Sequence, residues 1–160
     1  MNKMAALTVS LLFSGMVNAS DCFDLAGRDY KIDPDLLRAI AWNESKFNQY
    51  AVGNNYDSSV DTGIMQINSQ HDQELYSYGI TRHHLKNDAC LNIYTGAFYL
   101  AIAFKKWGVS WVSVGAYNAG FKDSPKQAYR RYIYAEKIHR TYKTIKLNKK
   151  KPLTYPIAKN

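Results

Sequence analysis

From Asp88 to Trp107 the chain is apolar nearly all round, and the run stops at Gly108. A helix with that pattern has no solvated face, so it predicts a central, buried element. The rest of the 160-residue chain must then form a shell around it, and a chain of this size supports one compact domain. Other segments carry helical signals. Ser20 to Tyr30 reads as a first helix. Asp33 to Phe47 reads as a second, with Asp33 as N-cap and Pro34 at the first helical position. Short helices are predicted over Ser69–Tyr78, ending at Gly79, and over Thr81–Leu85. Val109–Tyr117 leads into an Asn118-Ala119-Gly120 turn, and Ser124-Pro125 caps a last helix running to about Lys146. Residues 57–69 are polar, centred on Gly63 and too broken for a helix; they predict a turn or small hairpin. The expected class is mainly α, with a small β-hairpin or irregular β region around residues 57–69. Neither a repeat nor a linker divides the chain.

One residue conflicts with its helix. Leu36, Leu37, Ile40, Ala41 and Phe47 form an apolar stripe, and Glu44 lies on that stripe, four residues after Ile40. A carboxylate held against apolar neighbours is desolvated when ionised, which raises its pKa towards the range of a general acid. A hydrogen-bonded, inert glutamate at a helix end is the other reading of the same pattern. The polar segment that follows supplies a second carboxylate, Asp61, in surroundings where it should stay ionised. Two carboxyl groups whose environments separate their pKa values suit glycosidic bond cleavage. One protonates the leaving oxygen and the other meets the developing positive charge.

Four short motifs occur in order: Glu44-Ser45, Gly63-Ile64-Met65-Gln66, Ala116-Tyr117-Asn118-Ala119-Gly120 and Tyr134-Ala135-Glu136-Lys137-Ile138. Together they resemble the lysozyme-like, SLT-type lytic transglycosylases, over nearly all of residues 22–145. Asn68-Ser69, the paired cysteines and the short length look most like the specialised enzymes encoded with type III secretion, type IV secretion and conjugation systems. The resemblance implies a lysozyme-like α+β fold and Glu44 as catalytic acid. It also implies that the Tyr134 hydroxyl bonds the Glu44 carboxyl, orienting it and helping to keep its proton available. Ser45, Gln66, Tyr117 and Asn118 are implied as substrate contacts, and Met65 as half packing and half groove wall. The chain departs from the family at Asp61. Many lytic transglycosylases lack a second catalytic carboxylate, whereas Asp61 to Ser69 looks like the corresponding strand of animal lysozymes. The departure bears on the product, anhydro-sugar or hydrolysed end, and not on the bond that is cut.

Met1-Asn2-Lys3, an apolar run to about Val17 and the small-residue site Val17-Asn18-Ala19 read as a secretory leader cleaved after Ala19. The run is shorter than the ~20 residues of a spanning helix, so a leader is preferred to a membrane anchor. The expected organisation is therefore a leader over 1–19, a catalytic domain over 20–148 and a basic, flexible tail over 149–160, in a periplasmic protein. The chain has two cysteines. In an oxidising compartment an isolated pair reads as one disulfide, Cys22 to Cys90; two free or catalytic thiols are the alternative, with no nucleophile context around either.

The formal charge is +8, and most of the excess lies between Lys126 and Lys151. Such a field attracts an anionic polymer such as peptidoglycan; basic runs with tyrosines can also bind single-stranded nucleic acid, a reading that export argues against. Thirteen tyrosines and three tryptophans exceed what the core requires, and Tyr117 and Tyr134 are the two expected in a sugar-binding groove. His71, His83, His84 and His139 show no metal-ligand spacing, so neither a metal nor a cofactor is expected. The partners expected are peptidoglycan strands and, from the resemblance, a periplasmic component of a secretion system. The competing class is a non-catalytic glycan-binding component of an envelope machine, for which a buried acid has no use.

Overall fold

The computed structural model describes residues 19–150. The predicted leader up to Asn18 and residues 151–160 of the predicted tail lie outside them. Seven helices and a small sheet are seen within these residues: α1 (Ala19–Tyr30), α2 (Pro34–Ser45), β1 (Val52–Asn54), β2 (Val60–Thr62), β3 (Ile67–Asn68), α3 (Asp72–Ser77), α4 (Arg82–Asn87), α5 (Ala89–Trp107), α6 (Trp111–Ala119) and α7 (Pro125–Lys150). The fold is mainly helical and lysozyme-like, as expected.

Helix α5 is the central element. Asp88 caps it by accepting from Leu91 N at 2.9 Å, and Ile93, Ala97 and Leu100 are fully buried. It is not sealed on every side, however: Tyr94 and Tyr99 are half-buried, and Lys105 and Lys106 reach solvent. Leu37, Ile40, Met65 and Ile138 meet α5 in one core, each such side chain contributing about 1.5–3 kcal/mol by burial. The disulfide joins Cys22 on α1 to Cys90 at the start of α5, with Cα atoms 5.4 Å apart. This is the pairing the sequence predicts.

Helix α2 begins as read, with Asp33 Oδ1 accepting from Asp35 N at 2.9 Å. It ends two residues early. Lys46 and Phe47 both take the left-handed conformation, with φ of 56° and 64°, so Phe47 leaves the stripe and sets its ring against Phe23 and Trp42. The β region is larger than the predicted hairpin. Strands β1, β2 and β3 form an antiparallel sheet in that order, pairing Gly53 with Asp61 and Asp61 with Asn68. Strand β1, the short Val52-Gly53-Asn54, has no alternation to announce it, because its side chains are mostly exposed. The helix predicted from Ser69 starts as a 3-10 turn over Ser69–His71.

Helix α7 packs against both α6 and α2. At Gly115 the two backbones come so close that an added Cβ would lie 2.3 Å from the Arg131 carbonyl oxygen, so a side chain there would separate α6 from α7. The helix runs past Lys146 because its end is tied to α2. Lys146 Nζ lies 2.7 Å from Asp33 and 2.9 Å from Asp35, and Lys149 also pairs with Asp35. Lys149, read from sequence as the start of the tail, thus belongs to the domain. Among the described residues no helix is long and apolar enough to cross a membrane.

Candidate active site

A groove of about 1080 Å³ runs between the sheet on one side and α6 and α7 on the other. Glu44, in the last turn of α2, reaches it from between these walls. Burial pushes the Glu44 carboxyl above its ordinary range and Asp61 adds a smaller push in the same direction; the Tyr134 hydrogen bond and the Lys137 charge oppose both. The carboxyl is therefore a proton donor at higher pH than an ordinary glutamate.

Tyr134, on α7, donates its hydroxyl to Glu44 Oε1. This is the contact the resemblance implies, but its effect on the proton is the reverse of the expected one. A donor to a carboxylate favours the ionised form. Tyr134 orients Glu44, while burial keeps the proton. Tyr117 stacks on Tyr134 with ring centroids 6.5 Å apart, and its hydroxyl donates to the Met65 carbonyl at 2.8 Å. Burial and the nearby Glu44 charge hold both phenols protonated, well above the usual range. Tyr134→Phe should lower the maximal rate about tenfold by loosening the carboxyl. It should also move the alkaline limb of the pH–rate profile upward, since an influence lowering the Glu44 pKa is gone. An alkaline limb moving downward would contradict this assignment.

Asp61 projects from β2 and lines the same groove. Its oxygens are held from two sides: Asn55 Nδ2 donates to Oδ2 and Asn68 Nδ2 to Oδ1, each at 2.8 Å. Both oxygens of the carboxyl are thus fixed in direction by neutral donors, with no cation paired to it among the described residues. It is a strand residue with side-chain partners, not a turn residue capping backbone N–H groups. Asn68 lies in a segment the sequence singled out by resemblance; Asn55 was not anticipated, and only its nearness to Asp61 in sequence could have suggested it.

The remaining predicted residues divide. Gln66 and Asn118 line the groove. Gln66 sits at φ 50°, and its amide donates to the carbonyls of Gly63 at 2.8 Å and Ala51 at 3.2 Å. Asn118 is exposed at the end of α6. Met65 is no groove wall: it is 0% exposed and packs into the notch left by Gly96. Ser45 is not in the groove lining either; its hydroxyl donates to Ile64 O at 2.8 Å, stitching α2 to the β region. Tyrosines beyond the expected pair also line the groove: Tyr56, Tyr99 and Tyr129. Tyr99 stacks with His71 at 3.9 Å between centroids.

The segment between Asp61 and Gln66 is fixed from behind by Asn92, a fully buried amide on α5. Its Oδ1 accepts from Met65 N at 2.8 Å, and its Nδ2 donates to Thr62 O at 2.9 Å and Leu85 O at 3.0 Å. Gly63 beside it adopts φ 82°, and a Cβ there would come within 2.1 Å of the Asn92 amide nitrogen. The signal for Asn92 was available as a lone amide in an otherwise apolar helix. Among the described residues no group of His, Cys, Asp or Glu side chains is placed to hold a metal ion.

A buried carboxyl with a raised pKa and a hydrogen-bonded carboxylate on one aromatic-lined groove, in a lysozyme-like fold, define a glycan-cleaving enzyme. Residues 21–140 match the transglycosylase SLT domain, and the chain belongs to that family of peptidoglycan lytic transglycosylases. It is 58% identical over 148 residues to an "X polypeptide" of Escherichia coli, covering 92% of this chain and 88% of that one. It is 42% identical to invasion protein IagB of Salmonella typhimurium over 127 residues, 79% of this chain and 78% of the relative. It is also 42% identical to protein IpgF of Shigella sonnei over 134 residues, 84% and 87% of the two chains. The fold is shared with an inactive mutant of lytic transglycosylase Slt from Pseudomonas aeruginosa, with a TM-score of 0.60 at 22% identity. That alignment covers 82% of this chain but 25% of the larger protein.

Proposed function

We propose that this chain is exported to the periplasm and cuts the β-1,4 bond between N-acetylmuramic acid and N-acetylglucosamine, opening the wall locally for a secretion or conjugation apparatus. The observation that carries the chemistry is the pairing of Glu44, its ionisation opposed by burial, with Asp61, held in place by two amides, on one groove. Export is supported by the leader-like first nineteen residues. The apparatus role is supported by relatedness to proteins named for invasion and by the resemblance of the motifs to the secretion-associated enzymes.

In this reading Glu44 gives its proton to the glycosidic oxygen as the muramyl C1–O bond breaks. Asp61 meets the positive charge that develops at C1. The Glu44 carboxylate then takes the proton of the muramyl C6 hydroxyl as that oxygen bonds to C1. The product is a 1,6-anhydro ring and no water is consumed. Gln66, Tyr117 and Asn118 contact the sugars. Asp61 favours a second outcome, since a lysozyme-like carboxylate also serves attack by water and would leave a reducing end. Mass spectrometry of the released muropeptides separates the two: anhydro ends support transglycosylation and reducing ends support hydrolysis. Intact wall after prolonged digestion would refute cleavage itself and favour a binding component. If Asp61 is catalytic, Asp61→Asn should cut the rate per folded molecule at least ~10-fold, by analogy with removal of other electrostatic stabilisers. Near-normal clearance by that variant would remove Asp61 from the mechanism.

A further inference from the structure

One stripe of α7 faces the groove across two turns: Arg130, Ile133, Tyr134 and Lys137 recur at helical spacing and all line it. The cations on that stripe differ from their neighbours. Arg131 is buried and spends its guanidinium on the carbonyls of Gly120 and Lys122, while Lys146 and Lys149 are paired with Asp33 and Asp35. Arg130 and Lys137 are exposed. Arg130 reaches only Gln127 Oε1, at 3.5 Å, and among the described residues neither has a carboxylate at ion-pair distance.

The opposite wall is the reverse. Its carboxylates are already satisfied by neutral donors, Asp61 by Asn55 and Asn68 and Asp57 by Ser59 and Gln70. The groove is thus polarised, with unmatched positive charge along α7 and saturated negative charge along the sheet. A bare amino-sugar polymer offers no charge to answer the α7 wall. A muramyl residue does, because the peptide stem on its lactyl group carries free carboxylates.

We propose that Arg130 and Lys137 bind the carboxylates of the peptide stem, so that the enzyme selects glycan with charged stems over glycan whose stem carboxylates are neutralised. The inference rests on the peptidoglycan-cleaving reading above. Arg130 is its cleaner witness, since Lys137 also acts on the charge of Glu44. Both are specificity residues and neither takes part in the chemistry.

The test compares initial rates on stem-bearing strands with rates on the same strands after carbodiimide amidation of the stem carboxylates, which removes their charge without freeing the lactyl carboxyl, for wild type, Arg130→Gln, Arg130→Lys, Arg130→Gln/Lys137→Gln and Lys143→Gln. The ratio of the two rates cancels any change in the acid itself. Exposed ion pairs are individually weak, so wild type should favour the strands with charged stems by about fivefold at low salt, and less as salt is added. Arg130→Gln should bring the ratio down, the double variant should bring it close to unity, and Arg130→Lys should restore most of it. Lys143→Gln, a charge on the same helix outside the groove lining, should leave it unchanged. Equal wild-type rates on both substrates, or a ratio indifferent to Arg130→Gln, would overturn the proposal and leave glycan cleavage standing. An equal loss in Lys143→Gln would overturn it too, replacing a site with a diffuse field. Failure of wild type to cut either substrate would instead refute the cleavage reading on which it rests.

Discussion

Glu44→Gln is expected to lose at least ~10²-fold of the wall-clearing rate, the low end for removal of a general acid. The amide keeps the shape of the side chain and can still accept from Tyr134, so the loss reports the missing proton and not a collapsed groove. The same variant should be the more stable protein at neutral pH. Because burial raises the Glu44 pKa, the protonated side chain contributes stability that is complete below its ordinary value of 4.5. That stability is lost as pH rises through the elevated value. Glutamine cannot ionise and escapes this loss. Its melting temperature should exceed that of wild type at pH 7, and the difference should vanish in acid. Clearance above about a tenth of wild type, or a variant less stable at neutral pH, would argue against Glu44 as the buried acid.

Reduction of the Cys22–Cys90 bridge should have the largest effect on stability. The sequence separation is 68 residues, and on the chain-entropy relation a loop of that length is worth about 4 kcal/mol. For a domain of this size the melting temperature should fall by roughly ten degrees or more. The bridge joins the first turn of α1 to the first turn of α5, far along the chain from Glu44. Activity at low temperature should therefore survive in Cys22→Ser/Cys90→Ser, while its unfolding transition moves down. A double variant that melts with wild type would show that α1 is held by packing alone.

Much of this was legible in the chain, and the failures share a cause. The caps at Asp33 and Ser124, the buried α5 and the misplaced Glu44 are all expressed within one or two helical turns, where periodicity is readable. Strand β1 was missed because a three-residue strand with exposed side chains draws its stability from its neighbour and not from its own pattern. Met65 and Ser45 were placed in the groove by resemblance. The structure packs Met65 into the core against Gly96 and bonds the Ser45 hydroxyl to the Ile64 carbonyl, directions that the short motifs do not encode. Asn55 and Asn68 illustrate the harder limit. Their importance depends on what lies opposite them in space, and an asparagine in an already polar segment carries no mark of that. The helix end at Ser45 was obscured in the same way, since two left-handed residues in succession, neither of them glycine, are imposed by packing.

The three hydrogen bonds of Asn92 have a consequence for the timing of catalysis. The strand bearing Asp61 and the turn bearing Gln66 are bolted to α5 through Thr62 and Met65, and the third bond ties in α4 at Leu85. Their order does not wait for substrate. The entropy lost in fixing the groove floor is met once, when the chain folds, and is not charged again at each turnover. An incoming strand finds its negative pole already aimed, and only the sugar has to move.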